Sequence, residues 1–369
     1  MEFNVERITF LEGIQKTLGI VEKKTTMPIL NNILIRASDN QIKIIATDRE
    51  IGLISDYEAD VVISGEITVA ARKLYEMIRE IQGNIINFKK MDNNWVTITC
   101  GKIMYKMPGI TVDEFPEVKD DQSVTFSKIG SSLLKDMMNK TYFAISTDEM
   151  RTNLNGVYFC VEEGRASMVA TDGHRLSIVK KDIEGIGLSG LEGGGIILPR
   201  KGVGEIRKLV EDGADDVEIG IQQSSCVIRK NKTVLRVSLI DSDYPDYAKV
   251  IPEEKGVDVR LNRDQLLHSL RRMSVMSSDR FSGVKIELAE NKMTLSSTNP
   301  DVGEAKDEID IQYEGKAFEI GYNVKYLIDA IDVVDEDDIF IEMREAYGPG
   351  VIRPVVDDSY MCIIMPLRL

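Results

Sequence analysis

The residues best suited to chemistry in this chain lie in the run Ala170-Thr171-Asp172-Gly173-His174-Arg175-Leu176. Imidazole and carboxylate groups can serve as metal ligands or as an acid–base pair, so the residue types of this run are compatible with either site. A metal site needs a third ligand, and the second histidine, His268, lies far away in the sequence within a predicted helix. We therefore expect neither a metal nor a cofactor here.

Two other runs contain residue types found in active sites, but neither predicts chemistry. The acidic run 335–338 falls between a predicted helix and a predicted strand, where a solvated turn is the simpler interpretation. The glycine-rich run 185–195 has no strand leading into it, unlike a phosphate-binding loop. Since no nucleophile with a neighbouring base is readable, we expect a binding protein and not an enzyme.

The composition predicts a cytoplasmic globular protein. Hydrophobic residues make up 43% of the chain and charged residues 29%, and no apolar run approaches the ~18 residues of a membrane helix. The N-terminus lacks the pattern of a signal peptide, and the four scattered cysteines are typical of reduced, buried thiols. The net charge of −15 argues against a nucleic-acid partner unless the charge is unevenly distributed.

A threefold internal repeat determines the predicted architecture. Each copy contains a hairpin that ends in a small residue, a threonine and an Asp or Asn, and these anchors are Asp48, Asp172 and Asn299. A short strand and a helix precede each hairpin, and a second helix and more strands follow it. We therefore predict an α+β fold of three repeated domains, 1–121, 122–254 and 255–369, each with two helices packed on antiparallel sheets.

The predicted helices are more basic than the rest of the chain. They cover 10–20, 71–81, 129–141, 200–210, 263–273 and 323–331. Their Lys and Arg residues exceed their Asp and Glu residues by about six, although the whole chain is strongly acidic. If the helices share one face, that face attracts phosphate without reading base sequence.

The chain resembles the bacterial DNA polymerase III β subunit, the sliding clamp, over essentially its whole length. The resemblance rests on the run 170–176, on 198–202, 244–247 and 320–324, and on the terminal Met-Pro-x-Arg-Leu. It implies a head-to-tail homodimer that closes into a ring around duplex DNA. Such a ring confers processivity on the replicative polymerase.

The resemblance also implies a pocket for linear peptide motifs between the second and third repeats. The implied partners are the polymerase III α subunit, the clamp loader, translesion polymerases and mismatch-repair proteins. The matching pocket residues are Arg151, Leu154, Thr171, Gly173, His174, Arg175, Leu176, Pro245, Val250, Asn323, Tyr326, Ile363, Ile364, Met365, Pro366, Leu367, Arg368 and Leu369. Asn153 and the pair Ala248-Lys249 depart from the family pattern, which leaves the preferred peptide open.

Two further residue sets are predicted: the first rests mainly on the basic residues of the predicted helices, and the second on the resemblance. The DNA-facing set is Lys24, Lys73, Arg79, Lys135, Lys140, Arg200, Lys201, Arg207, Lys208, Arg271 and Arg272. The dimer interface pairs Tyr105 and Met107 of one chain with Val275 and Met276 of the other. The main alternative is a monomeric repeat scaffold that binds acidic-motif peptides without encircling DNA.

Overall fold

The computed structural model describes all residues except 22–26, 119–123, 184–193, 212–214, 223, 279–281, 345–347 and 369. Within the described residues, three successive copies share one order of elements. Each copy has a strand, a helix, three strands, another strand, a second helix and three final strands, and the first copy has one additional short strand. The structure confirms the predicted α+β fold of three repeated domains, each with two helices and antiparallel sheets.

The elements of each copy have the following bounds. The first copy contains β1 Glu2–Glu6, α1 Arg7–Thr17, β2 Asn32–Ser38, β3 Gln41–Thr47, β4 Ile51–Glu58, β5 Asp60–Ile63, β6 Gly65–Ala70, α2 Ala71–Glu80, β7 Ile85–Lys90, β8 Trp95–Cys100 and β9 Ile103–Ile110. The second contains β10 Ser127–Gly130, α3 Ser131–Tyr142, β11 Gly156–Glu162, β12 Arg165–Thr171, β13 Arg175–Asp182, β14 Ile196–Pro199, α4 Arg200–Glu211, β15 Asp216–Gln222, β16 Ser225–Lys230 and β17 Thr233–Ser238. The third contains β18 Val257–Asn262, α5 Arg263–Ser274, β19 Gly283–Ala289, β20 Lys292–Asn299, β21 Gly303–Asp310, β22 Phe318–Asn323, α6 Val324–Asp332, β23 Asp338–Met343, β24 Gly350–Pro354 and β25 Tyr360–Ile364.

Helix α5 illustrates why these segments are helical. Its N-cap residue Asn262 accepts a hydrogen bond from the backbone N–H of Gln265 at 3.1 Å, which satisfies one free donor of the first turn. Two arginines in the last turn complement the partial negative charge of the helix C-terminus. Leu266, Leu270 and Met273 are buried at helical spacing, so one face of the helix packs into the core.

The described residues form two compact units, each with its own sheets. The first unit comprises Met1–Ser131 and Gly204–Leu239, and its thirteen-stranded sheet has the order β10-β15-β16-β17-β4-β3-β2-β6-β9-β8-β7-β1-β5. The second unit comprises Gly193–Val203, Ile240–Leu369 and the described part of Ser132–Gly187. It contains an eight-stranded sheet, β14-β11-β12-β13-β25-β24-β23-β18, and a four-stranded sheet, β21-β20-β19-β22. The second copy contributes strands to both units, and the predicted domain boundaries stay a prediction.

In both units, one copy supplies its last strand to the fourth strand of the copy before it. In the first unit β17 pairs with β4, with Val237 opposite Ile51. In the second unit β25 pairs with β13, with Ile364 opposite Arg175. Antiparallel pairing of this kind joins neighbouring copies through backbone hydrogen bonds that do not depend on side-chain identity.

The first helix differs from its predicted position. It begins at Arg7 and ends at Thr17, whereas the apolar spacing predicted 10–20. Ile20 and Val21, which extend the apolar pattern, are buried although they lie beyond the helix end. Periodicity alone does not separate a buried turn from one more turn of helix.

Three phenylalanines pack against one another in the core of the first unit. The rings of Phe3 and Phe88 stack at a centroid distance of 4.9 Å, and Phe10 meets both rings edge-on. All three side chains are fully buried. They tie β1, α1 and β7 together through contacts that aromatic rings favour.

We expect Phe88→Ala to destabilise the first unit by about 3–5 kcal/mol, because it leaves a cavity beneath α1. Trp95 is the single tryptophan of the chain and lies on β8, next to β7, so its fluorescence reports urea unfolding of this unit. The matched control is Phe159→Ala, which removes a fully buried ring from the second unit. Equal shifts of the Trp95 transition in both variants would contradict this assignment.

Candidate functional site

The turn between β12 and β13 is fixed by its own side chains. One carboxylate oxygen of Asp172 accepts the backbone N–H groups of His174 at 2.9 Å and Arg175 at 3.0 Å. The hydroxyl of Thr171 accepts the N–H of Gly173 at 3.1 Å. Gly173 has a φ of +88°, a conformation that glycine adopts without steric cost.

The first copy contains the same turn with different side chains. Asp48 accepts the N–H groups of Glu50 and Ile51, and Thr47 accepts that of Arg49. Arg49 has a φ of +82°, close to the value at Gly173. The Thr-Asp step therefore builds the turn, and the residues after it are available for another task.

Arg175 connects this turn to two other elements of the second unit. Its Nε donates to Asp172 at 3.1 Å, one terminal nitrogen donates to Asp329 on α6 at 2.6 Å, and the other donates to the Phe143 carbonyl at 2.6 Å. The guanidinium also lies over the ring of Tyr326, 4.4 Å from its centroid. Only 9% of this side chain is exposed, so the contacts are made in a poorly solvated place.

Asp172 and His174 do not form a metal site. The Asp172 carboxylate is engaged by the turn and by Arg175, and the exposed His174 ring stacks on Tyr326 at a centroid distance of 6.4 Å. Among the described residues, no group of three or more His, Cys, Asp or Glu side chains could hold a metal ion. Burial, followed by the nearby Asp172 charge, raises the pKa of Tyr326.

The C-terminal tail lies beside the turn. The Met365 N–H donates to the His174 carbonyl at 2.8 Å, and the Leu367 N–H donates to the Gly321 carbonyl on β22 at 2.7 Å. Met365 is 40% exposed, whereas Ile363 and Ile364 are buried in β25. The tail therefore runs from the turn to the strand that precedes α6.

A segment before β18 covers an adjacent apolar cluster. Tyr244 stacks on Tyr158 at a centroid distance of 5.0 Å, and its hydroxyl donates to the Val169 carbonyl at 3.4 Å. Pro245 is exposed, and Val250 is 39% exposed at the end of a short 3-10 helix. Packing of Tyr244 on Tyr158 holds this segment against the cluster, and Pro245 and Val250 remain exposed to solvent.

The residues predicted for the pocket separate into a surface and its support. Leu154, Leu176, Ile363 and Ile364 are buried within the chain, and Thr171, Arg175, Asn323, Tyr326, Pro366 and Leu367 are partly buried. The exposed members are Arg151, Gly173, His174, Pro245, Val250, Met365 and Arg368. Leu369 lies outside the described residues. Asn153, the departure from the family pattern, donates to the Asp243 carbonyl at 3.4 Å, so it anchors the segment that carries Pro245.

Sequence reasoning missed Phe143 and Asp329. Phe143 contributes its backbone carbonyl and also its ring, whose centroid lies 5.1 Å from the guanidinium carbon of Arg175, and nothing in the sequence links it to that arginine. Asp329 lies three residues after Tyr326 on the predicted sixth helix, and this spacing places both side chains on one helix face. That spacing is compatible with many roles, so it predicts none alone.

Most of the predicted DNA-facing residues are accessible, with one correction. Lys140 is only 5% exposed, and its ammonium lies 2.8 Å from the Asp136 carboxylate, so the prediction that it faces DNA is wrong. The reason is packing against β13, where Ser177 donates to the Lys140 carbonyl and the Lys181 ammonium lies 3.7 Å from the same Asp136 carboxylate. Lys24 lies outside the described residues.

The other predicted DNA-facing residues keep exposed or partly exposed side chains. Lys73, Arg79, Lys208, Arg271 and Arg272 are exposed, and each forms an ion pair with an acidic residue of the same chain. Lys135, Arg200, Lys201 and Arg207 are partly buried. These residues all lie on helices, as predicted from the sequence.

The predicted interface residues also need one correction. Met107 is only 2% exposed within the single chain, so its side chain has almost no surface left to bury against another molecule. Its neighbour Met104 is 60% exposed and was not predicted. Val275 is 68% exposed, and Tyr105 and Met276 are partly exposed. Their role at an interface stays a prediction.

The acidic run and the cysteines have structural roles. The Glu336 carboxylate accepts the backbone N–H groups of Val355, Val356 and Asp357, so this run is more than a solvated turn.

All four cysteines are buried free thiols, as predicted. Burial raises the pKa of Cys226 and of Cys362 to about 12, which keeps both thiols protonated.

No helix among the described residues combines the length and the apolarity that spanning a membrane requires.

Three family models match successive parts of the chain. All three describe the DNA polymerase III beta subunit. The N-terminal domain matches residues 1–119, the central domain 128–246 and the C-terminal domain 248–368. Together they cover nearly the whole sequence in the order of the three copies.

Relatives and solved structures agree with the family models. The chain is 30% identical to the beta sliding clamp of Vibrio cholerae and 30% identical to that of Caulobacter vibrioides, in each case over 100% of both chains. It is similar to the DNA polymerase sliding clamp from Bacillus subtilis with a TM-score of 0.93 at 26% identity, covering 100% of this chain and 99% of the other. It is also similar to the sliding clamp from Bartonella birtlesii bound to griselimycin, with a TM-score of 0.93, 31% identity and full coverage of both chains.

Gly173 provides a test of the exposed surface. A Cβ at this position would lie 2.7 Å from a guanidinium nitrogen of Arg151, in addition to the strain of the left-handed backbone. We expect Gly173→Ala to weaken binding of a fluorescent clamp-binding peptide about tenfold, since the turn and Arg151 must both move.

The matched control for this variant is Gly164→Ala. Gly164 has a φ of +78° and its Cβ would meet no atom closer than 3.9 Å, so this variant introduces similar strain without displacing Arg151. Both variants should lower the thermal midpoint by a few degrees, and only the first should lose affinity in a fluorescence anisotropy titration. Unchanged peptide affinity in Gly173→Ala would show that the surface lies elsewhere.

Proposed function

The chain belongs to the DNA polymerase III beta subunit family, and we propose that two copies of it close head to tail into a ring around duplex DNA. As a member of that family the chain is a processivity clamp. We assign it no chemical step. We propose that it acts in the cytoplasm together with the replicating polymerase. In such a ring each chain contributes three segments, which are the predicted domains 1–121, 122–254 and 255–369, so that two chains supply six.

Segregation of charge between helices and the rest of the chain is the observation that carries this proposal. The α-helices of the described residues have net charges of +1, +1, +1, +2, +2 and −1 in chain order, or +6 together. The whole chain has −15, so its other parts are strongly acidic. Helices that line the hole attract the phosphates, and the acidic exterior repels DNA elsewhere.

The ion pairs on the helices are compatible with contact to DNA. The pairs Lys73–Glu76 and Arg271–Asp332 have exposed partners, and such pairs contribute about 0–1 kcal/mol each. A phosphate can therefore replace the carboxylate at small cost. Contacts of this kind are independent of base sequence and weaken as salt rises, which suits sliding.

The strand pairing supports closure of the ring by a second chain. Each junction inside the chain pairs the last strand of one copy with the fourth strand of the copy before it. Two such strands are left with an open edge among the described residues. They are β9, which pairs with β6 only at residues 109 and 110, and β21, which is at the edge of its sheet. We infer that β9 of one chain pairs with β21 of the next.

The repeat predicts the register of this pairing. The hairpin threonines Thr47, Thr171 and Thr298 are paired with Gly52, Leu176 and Glu304, which makes these three positions equivalent. Gly52 and Leu176 in turn face Arg236 and Ile363 of the supplied strands.

The residue equivalent to these two on β9 is Lys106. Along each supplied strand, the residue four positions after Arg236 or Ile363 bonds to the strand that precedes the second helix of its own copy. On β9 the residue paired with that strand is Ile110, and the residue four positions before it is Lys106. Lys106 of one chain therefore lies opposite Glu304 of the next. Cross-strand neighbours of opposite charge favour this pairing.

The surface beside the Thr171–Leu176 turn is proposed as the binding site for linear peptides of polymerases, the clamp loader and mismatch-repair proteins. Exposed apolar residues, among them Val250 and Met365, accept apolar peptide side chains. Arg151 and His174 are exposed polar groups that can orient the peptide. The buried members of the predicted pocket support this surface from below.

Encirclement predicts topological retention. Once loaded by a clamp loader, the protein should remain on nicked circular DNA through gel filtration at 0.3 M salt and dissociate within seconds after the circle is linearised. Electrostatic contacts alone give similar retention on both forms. Equal retention on circular and linear DNA would exclude the ring.

The inferred joint predicts that opposite charge changes compensate each other. We expect Lys106→Glu to weaken dimerisation at least tenfold, because two carboxylates then face each other across the joint. Adding Glu304→Lys to the same chain should restore the dimer, as measured by sedimentation over a range of concentrations. Lys102→Glu, at the exposed turn that precedes β9, is the control and should leave dimerisation unchanged. Failure of the double variant to recover contradicts the register.

A further inference from the structure

The two copies of the Thr-Asp turn separate what the turn needs from what Arg175 adds. Ile51 takes the position of Arg175 in the first copy, and the hydrogen bonds of the turn are the same there. The turn therefore forms without the arginine. The guanidinium must serve something that the first copy lacks.

The contacts of Arg175 that leave the turn indicate what it serves. One terminal nitrogen donates to Asp329 on α6 and the other to the carbonyl of Phe143, directly after α3. Between them the guanidinium lies over the ring of Tyr326, whose other neighbour is the exposed imidazole of His174. Arg175 thus holds α6 of the third copy against the turn of the second.

We propose that Asp329 is a positioning residue for the peptide-binding surface, acting through Arg175. This inference rests on the proposed function, because it assumes that linear peptides bind beside the turn. Asp329 fixes the guanidinium over Tyr326, which keeps that ring beside His174 and sets the spacing between the turn and α6. Asp329 need not touch the peptide.

Asp329 can act in this way because the two carboxylates around Arg175 differ. Asp172 also accepts two backbone N–H groups, so its orientation is set by the turn. The side chain of Asp329 is 41% exposed, and its bond to Arg175 is 2.6 Å long. When the Asp329 carboxylate is removed, the guanidinium nitrogen that donates to it loses its charged acceptor in a site where only 9% of the arginine side chain is exposed. The arginine then has to move, and Tyr326 follows.

The test compares three single substitutions on α6. Asp329→Asn removes the charge, and Asp329→Glu keeps it on a longer side chain. Asp332→Asn is the matched control, because Asp332 lies on the same helix and pairs with Arg271 at 2.8 Å, whereas Arg175 pairs with Asp172 and Asp329. Affinity for a fluorescent clamp-binding peptide is measured by anisotropy, and the dimer mass and the thermal midpoint are measured on the same samples.

We expect Asp329→Asn to lower the affinity for the peptide about tenfold. Asp329→Glu should keep most of the wild-type affinity, and Asp332→Asn should bind the peptide like the wild type. The dimer mass should be unchanged in all three variants. Wild-type affinity in Asp329→Asn overturns the proposal. Equal loss in the Asn and Glu variants also overturns it, since the carboxylate is then not the active feature.

A further arm separates this proposal from the proposed function. Asp329→Asn should remain on nicked circular DNA as long as the wild type does, because the positioning contact is made by α6 and the inferred joint by β9 and β21. If the wild type itself is not retained, the proposed ring fails independently of Asp329. If the ring is retained and the affinities follow the expected order, both proposals stand. Loss of retention in Asp329→Asn alone overturns the positioning role.

Discussion

The structure depends on one backbone interaction that is used repeatedly: the last strand of a copy pairs with the fourth strand of the copy before it. In the first unit Val237 lies opposite Ile51, and in the second Ile364 lies opposite Arg175. Because these bonds are made by the main chain, they tolerate the sequence differences between copies. Among the described residues, β9 pairs with β6 only at residues 109 and 110, and β21 lies at the edge of its sheet. These are the two open edges that the proposed joint between chains brings together.

Repetition of the backbone allows the side chains of one copy to specialise. The Thr-Asp turn forms in both the first and the second copy, and its hydrogen bonds use only the threonine, the aspartate and main-chain groups. The following positions are free to vary. In the second copy they supply an imidazole, a guanidinium and a glycine that lets Arg151 approach closely. Divergence at three neighbouring positions therefore changes the side chains beside the turn without changing the hydrogen bonds of the turn, and these side chains belong to the proposed peptide-binding surface.

The sequence predicted the repeat, the six helices and the hairpins, because these follow from local periodicity and turn residues. It could not predict which strands pair between copies, since that register is set by tertiary packing. The burial of Lys140 was missed for the same reason: helix periodicity places it near other basic residues, but only the packing of β13 shows that it is covered. Asp329 and the Phe143 carbonyl were missed because their significance depends on where Arg175 points.

Weak contacts to DNA are consistent with the small excess of positive charge on the helices. A net +6 per chain, divided among exposed ion pairs, gives an attraction that salt readily screens. Tight binding would oppose sliding, because every step along the duplex breaks and remakes the same contacts. A closed ring removes the need for affinity, since release requires the joint between chains to open. The stability of that joint, and not the strength of the phosphate contacts, therefore sets how long the protein stays on DNA.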